Sequence, residues 1–425
     1  MFSEAGVLVA GLARAKASSC TILLLLLCVP LAAQERPVVI SASTLLDGRG
    51  KILRNTRIVV QHGKIVRVDP KAEPVAYDLR GLTVLPGWID THVHITYHFG
   101  PSGKYGDRNE TPQQAELAIA GNAWVTLMAG FTTVQSVGAQ GDLPLRDAIA
   151  KGAIPGPRIL TAVRPLMGRG PETGTPDQIR ERVRAAKQEG ADLIKIFASQ
   201  SIRVGGGPTL SQEQLDAACD EARKLGLRTL VHAYRDSVRM ATLAGCTQIE
   251  HGTYATPEDL KLMAAHGAYF DPQAGLVDEN YLLFKDRYLG VGNYTEEGFK
   301  LEEESIPLDH ELFRQAMATK GLKIVFGTDA VAGAHGRNAE ELIDRVRDCG
   351  QRPLDAMVSA NSLAAESMGL DKEIGSIAAG MAADIIALAG NPLDDITAVR
   401  RVAFVMKGGT VYKNVAHSDI SQPVR

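Results

Sequence analysis

Cysteine is scarce in this chain, five residues in 425, and the five are widely spaced. Such spacing excludes a small disulfide-stapled scaffold and a thiolate metal site, both of which need closely grouped cysteines. Cys20 and Cys28 fall in an N-terminal leader, and Cys28 lacks the small preceding residue expected before a lipid-modified cysteine. Cys219, Cys246 and Cys349 are expected as core or helix residues. Charge of one sign is just as scarce: 46 basic residues meet 49 acidic ones, a net charge of -3, scattered without runs. That balance gives no electrostatic footprint for nucleic acid or another polyanion. The apolar run from Ile22 to Leu31 is shorter than the roughly 20 residues a bilayer-spanning helix needs, so no stable membrane span is expected. Arg14 and Lys16 precede it and Ala32-Ala33 follow, the layout of an export signal at residues 1–33. The expected location is periplasmic or secreted.

What is present is a large hydrophobic fraction, 45%, enough for a substantial core. Val38 to Ile40, Arg57 to Val60 and Lys64 to Val68 read as short strands around the turns Asp47-Gly48 and His62-Gly63. Ala383 to Leu388, Val402 to Met406 and Thr410 to Tyr412 have the same character near the other end, the last two joined through Gly408-Gly409. Between them short apolar segments alternate with helical stretches such as Pro176 to Glu189, Ser211 to Leu225 and Thr256 to His266. Eight segments read as strands: Thr83 to Ile95, Thr132 to Gly138, Arg158 to Val163, Asp192 to Phe197, Arg228 to Tyr234, Gln248 to Gly252, Tyr269 to Gln273 and Lys323 to Asp329. Eight strands each followed by a helix describe an α/β fold, a (β/α)8 TIM barrel over residues 83–372, whose catalytic groups sit at the C-terminal strand ends. Residues 34–82 and 373–425 are expected to meet in a small flanking β-sandwich. The segment from Asp278 to Pro307 interrupts the alternation and reads equally as a lid or a surface insertion.

His92 and His94 end the first of these strands, Lys195 lies in the fourth, His232 in the fifth, His251 in the sixth and Asp329 ends the eighth. Residues two apart in a strand point the same way, so His-Val-His puts two imidazoles on one face. A lone pair of this kind is weak evidence, since a strand can bury a satisfied histidine. Four of the ten histidines at the ends of three strands is a stronger pattern, and imidazole with carboxylate suits a divalent ion such as zinc. Lys195 interrupts the apolar run Asp-Leu-Ile-Lys-Ile-Phe, where an unpaired ammonium is costly. It reads as one half of an ion pair or as a desolvated amine that carbon dioxide converts to a carbamate. Asp329 reads as a helix cap or as the group that shuttles protons between water and a leaving amine.

The segments Leu-Pro-Gly-Trp-Ile-Asp-Thr-His-Val-His, Gly-Ala-Asp-Leu-Ile-Lys-Ile, Leu-Val-His-Ala-Tyr, Ile-Glu-His-Gly-Thr, Phe-Gly-Thr-Asp-Ala and Gly-Met-Ala-Ala-Asp-Ile-Ile-Ala-Leu together resemble the amidohydrolase superfamily over most of the chain. Within it they are most similar to the branch of imidazolonepropionase-related, prolidase-like dipeptidases and carboxypeptidases. The resemblance implies two divalent metals, zinc as a rule. His92, His94 and Asp329 would hold one, His232 and His251 the other, with a carboxylated Lys195 and a hydroxide bridging them. It implies hydrolysis of a peptide-like C-N bond in dipeptides or N-acyl amino acids, ochratoxin-type amides included, with Asp329 catalytic and Tyr234 polarising the carbonyl or holding the substrate. Homo-oligomers are common among such relatives.

Departures bear on the substrate. Gln135-Ser136 stands where that branch has Arg-Asp, and Arg164-Pro-Leu-Met-Gly-Arg-Gly170 where it is rich in glycine and histidine. A different specificity pocket is expected. Arg164, Arg169 or Arg203 reads as a surface cation or as a clamp for a substrate carboxylate, and His335 as a substrate contact or an idle loop residue. The same centre would serve a cyclic amidase, lactonase or phosphotriesterase. A non-catalytic metal-binding scaffold is the further alternative, and the presence of all six ligand positions argues against it.

Overall fold

The computed structural model describes residues 36–416; the leader expected at residues 1–33 lies outside them. Segments from both ends of the described residues meet in one eight-stranded sheet. Val38–Leu46 pairs antiparallel with Ile52–Gln61 and parallel with Thr83–Pro86, and Thr83–Pro86 pairs antiparallel with Ile385–Leu388. Val402–Lys407 and Thr410–Asn414 complete that side, through the turn expected at Gly408-Gly409. One face buries Ile40, Leu45, Ile58, Val84, Ile385 and Phe404.

The long first strand expected from Thr83 to Ile95 is two strands. Thr83–Pro86 belongs to the end sheet, while Trp88–Val93 begins a parallel one. Gly87 is the switch point, for a Cβ there would lie 2.2 Å from Thr132 Oγ1, and only the absence of a side chain allows the two segments to pass so closely.

All the inner strands are parallel, but they form two sheets. Trp88–Val93, Phe131–Ser136 and Arg158–Thr161 make one. The other runs Lys323–Ile324, Tyr269–Asp271, Gln248–His251, Arg228–Ala233, Leu193–Phe197 and Leu166–Met167. Hydrogen bonds cross both seams. Thr91 N–H donates to Phe326 O at 3.0 Å and His94 N–H to Ala330 O at 2.8 Å on one side, and Asp192 N–H to Thr161 O at 2.8 Å on the other. The ladder is nevertheless not continuous, which departs from the single closed barrel expected.

The eighth strand explains part of that. Expected from Lys323 to Asp329, it keeps two residues, Lys323–Ile324. Beyond them the Arg345 guanidinium donates to Val325 O at 2.7 Å and Gly327 O at 3.2 Å, taking carbonyls a neighbouring strand would have used. Arg345 is fully buried and ion-paired with Asp271 at 2.7 Å and Glu341 at 2.8 Å.

Helices Pro176–Gln188, Gln212–Lys224 and Pro257–His266 fall where expected, and each opens on a capping box with Thr175, Ser211 or Thr256 as cap. All three cysteines among the described residues are buried, as expected of core or helix residues, but two of them are bonded to each other, which was not expected. Cys219, on Gln212–Lys224, is disulfide-bonded to Cys246, and Cys349 is free and buried. A sequence separation of 27 hides the pairing, because the two meet only once consecutive helices pack side by side. The segment from Asp278 to Pro307 is helical: Leu276–Leu283, Lys285–Tyr288 and the first half of Glu296–Ala318. No helix among the described residues is long and apolar enough to cross a membrane.

Candidate active site

At the C-terminal ends of the inner strands opens a cavity of about 700 Å³. His92, His94, Lys195, His232, His251 and Asp329 all line it. Asp329 Oδ1 lies 3.0 Å from His94 Nε2 and 3.3 Å from His92 Nε2, and Lys195 Nζ lies 3.1 Å from that same His92 nitrogen. The His232 and His251 rings meet edge to face at 4.6 Å, and Tyr234 stacks on His251 at 5.1 Å. His251 and Asp329 hold positive φ angles, 65° and 49°, strain that concentrates at functional sites.

Buried support fixes these groups. His92 Nδ1 lies 2.8 Å from Glu250 Oε2, which turns Nε2 toward the cavity. Gln273 Nε2 donates to Asp271 Oδ2 at 2.6 Å and to Glu250 Oε2 at 3.2 Å. Asp90 ties the first strand to the last: its Oδ1 accepts from His92 N–H and from Thr328 N–H, both at 3.1 Å, and its Oδ2 accepts from Asn338 Nδ2 at 2.7 Å.

Electrostatics follow from burial. Desolvation, helped by Lys195, lowers His92 to about 3, and desolvation does the same to His232. Burial brings Lys195 down to about 8 against the pull of Glu250 and Asp329. Asp329 would be raised by its burial, but the His92 and His94 imidazoles hold it well below the usual carboxylate range.

A divalent cation fits this donor set. The ligating atoms of His92, His94 and Asp329 lie within 4.8 Å of one another. His251 Nε2 is buried without a hydrogen-bond partner among the described residues, a costly arrangement unless something positive meets it. The neighbouring group of His92, Glu250 and Asp271 is accounted for by its own hydrogen bonds and by Arg345.

Other expected contacts divide. Tyr234 and Arg203 line the cavity, and the exposed Arg169 stands at its rim. Arg203 is already engaged, Nη1 donating to Glu302 Oε2 at 2.7 Å. Arg164 pairs with Glu189 at 2.8 Å away from the cavity, and His335 also lies outside it, with Nε2 3.1 Å from Tyr97 O. Gln135 donates to Thr91 O and accepts from Arg228, so that departure sits inside the strand layer rather than in the cavity. Sequence reasoning missed Asp90, Glu250, Asp271 and Gln273. The argument applied to Lys195, a polar group in an apolar strand, would have found Glu250 and Asp271.

Comparison with known proteins is consistent with this chemistry. The family model described as the Amidohydrolase family matches residues 83–412. The ochratoxinase of Aspergillus niger is 27% identical over 91% of this chain and 91% of its own length. The imidazolonepropionase of Pseudomonas putida is 23% identical over 81% of this chain and 90% of its length. Among solved structures, a Xaa-Pro dipeptidase with bound methionine in its active site superposes with a TM-score of 0.80 at 29% identity, covering 89% of this chain and all of its own. Convergent imidazoles and a carboxylate at the strand ends, in a chain matched over most of its length, place this protein in the amidohydrolase family, as a hydrolase of amide carbon-nitrogen bonds.

Proposed function

We propose that this chain cleaves the amide bond of dipeptides or N-acyl amino acids, ochratoxin-type amides among them, at a binuclear centre held by His92, His94, Lys195, His232, His251 and Asp329. The observation that carries the reading is the meeting of the His92, His94 and Asp329 ligand atoms at the floor of the cavity. Divalent cations there, zinc by the chemistry of the donors, would lower the pKa of a water and polarise the scissile carbonyl. Lys195 is buried and deprotonates readily, so its amine adds to carbon dioxide, releases one proton and becomes a carboxylate ligand. Asp329 takes a proton from the attacking water and hands it to the leaving nitrogen. Tyr234 donates its hydroxyl hydrogen to the carbonyl oxygen, and burial beside Glu302 and Asp278 keeps that hydroxyl protonated.

Asp329→Asn tests the mechanism: metal content persists while amine release falls by about 10² to 10⁴. Unchanged turnover would remove Asp329 from the chemistry. The fold in this reading is one (β/α)8 barrel over residues 83–372, with a flanking sandwich of residues 34–82 and 373–425; hydrogen bonds across both seams support it.

Export as a periplasmic or secreted enzyme is part of the proposal. The Cys219–Cys246 disulfide supports it, because such bonds persist in oxidising compartments. Recovery of the chain only in the cytoplasmic fraction would refute it. We also propose a homo-oligomer built on helix Pro112–Met128, whose one charged residue is Glu116 and whose Leu117, Trp124 and Val125 are 75%, 41% and 41% exposed. Light scattering of Trp124→Glu should then report a smaller particle than the wild type, and equal masses would discard this face.

A further inference from the structure

Above the floor, one wall of the cavity carries more negative charge than it has cations to balance. Asp278, Glu302 and Asp309 line it, each at least nine-tenths buried. Its cation is Arg203, and Arg203 is committed: Nη1 to Glu302 Oε2 at 2.7 Å, Nε to Asn293 Oδ1 at 3.2 Å, its guanidinium between the Tyr281 and Tyr294 rings at 4.6 and 4.2 Å. Asp309 Oδ1 accepts from Thr253 Oγ1 at 2.5 Å, a neutral partner. Among the described residues Asp278 has no cationic, amide or hydroxyl donor; its neighbour is the Glu302 carboxyl, a group of its own sign.

A second observation comes from another element. Tyr234 is 6% exposed, and its hydroxyl has no hydrogen-bond partner among the described residues although Glu302, Asp278 and Asp309 all act on it. The hydroxyl opens into the same cavity, between the floor and the wall. A protein does not ordinarily bury two carboxylates without a cation of their own, because neutral hydrogen-bond partners offset only part of the desolvation of a charge. Burial pushes Asp309 up to about 7 and Asp278 well above its usual range, the response of carboxyls that lack a positive partner.

We propose that Asp278, Glu302 and Asp309 form a subsite for a positively charged group of the substrate, an ammonium or guanidinium. This rests on the reading of the cavity as the amide-hydrolysis site. The cation can come from either side of the scissile bond: a basic side chain on the released amino acid, or the free amino terminus of the acyl part. Its arrival gives the wall a second positive charge against three carboxylates. Buried charge pairs of this kind confer selectivity, since a neutral isostere leaves the carboxylates unmet.

The experiment gives the zinc-loaded full-length protein two substrate pairs that differ in charge. Benzoyl-arginine against benzoyl-citrulline places the cation on the leaving residue. Alanyl-phenylalanine against its N-acetyl derivative places it on the acyl residue. The expected result is a kcat/KM preference of about tenfold or more for the cationic member of at least one pair. Asp278→Asn and Asp309→Asn should each shrink that preference. Titration with L-arginine against L-citrulline, and with alaninamide against N-acetylalaninamide, reads the same preference without turnover. Ratios within about twofold in both pairs and both measurements overturn the subsite, being no more than an exposed ion pair gives. Cleavage without charge preference therefore sinks the subsite and keeps the amide reading. Binding preference without cleavage of any member does the opposite.

Discussion

The floor of the cavity takes its side chains from the ends of parallel strands, whereas its wall takes Asp278, Tyr281 and Glu302 from helices between Leu276 and Ala318 and Tyr294 from a connection between them. Strands about 4.8 Å apart hold their side chains at fixed separations, and the floor gains from that: Lys195, His232 and His251 are positioned by ladder pairing before any loop is considered. Contacts between aromatic rings hold the wall instead. Tyr281, Tyr288 and Tyr294 pack against one another at 4.9 to 5.3 Å with Arg203 between two of them. One region is suited to exact placement of reacting groups, the other to variation in what is admitted.

Four substitutions test how separate these regions are. Arg345→Met should have the largest effect, a loss of about 3–5 kcal/mol of stability, because Asp271 and Glu341 are left buried and unpaired. Calorimetry would report it, and an unchanged melting temperature would show that the floor does not depend on this ion cluster. Glu250→Gln removes the charge facing His92 Nδ1 and should weaken metal binding about 10- to 100-fold in a chelator competition, with the wall's substrate preference kept. Loss of the preference as well would join the two regions into one unit.

Asp344 lies where floor and wall join, close to Gly275, and burial followed by Glu341 raises its carboxyl to about 8 from an ordinary 3.8. The folded protein therefore holds a proton that the unfolded chain has released. That contribution is present at low pH and is lost as pH rises from about 4 to about 8. Asp344→Asn should accordingly melt above the wild type by a margin that widens from pH 5 to pH 8, and a margin independent of pH would rule out this origin. The smallest effect is expected of Tyr294→Phe, which deletes a hydrogen bond of 3.2 Å to the Tyr281 hydroxyl. It should cost about 0.5–1.5 kcal/mol and alter KM while zinc stoichiometry stays as it was. A fall in metal content would mean that the wall also builds the floor.

The two regions also differ in how far the sequence discloses them. His92, His94, Lys195, His232, His251 and Asp329 are legible because a charged or imidazole group at the end of an apolar strand violates the local pattern. The parallel strands and capped helices are legible for the same kind of reason, period and cap. Asp278, Glu302 and Asp309 are not, since carboxylates are ordinary on a helix and only the fold reveals that these three face inward. Gly87 and Arg345 lie between these cases. Each redirects a strand through a contact with a residue distant in sequence, Thr132 for one and Asp271 for the other, and periodicity carries no trace of such a partner. The Cys219–Cys246 bond was hidden likewise.

The end sheet bears on how the molecule is assembled in time. Thr83–Pro86 lies inside that sheet, and one of its two neighbours, Ile385–Leu388, is translated only after all the inner strands. The early strands must wait for a late partner, and pairing across so long an interval is slow because a large loop has to close. Ribosome-bound chains halted before Ile385 should consequently expose the flank of Thr83–Pro86 to chaperones and proteases.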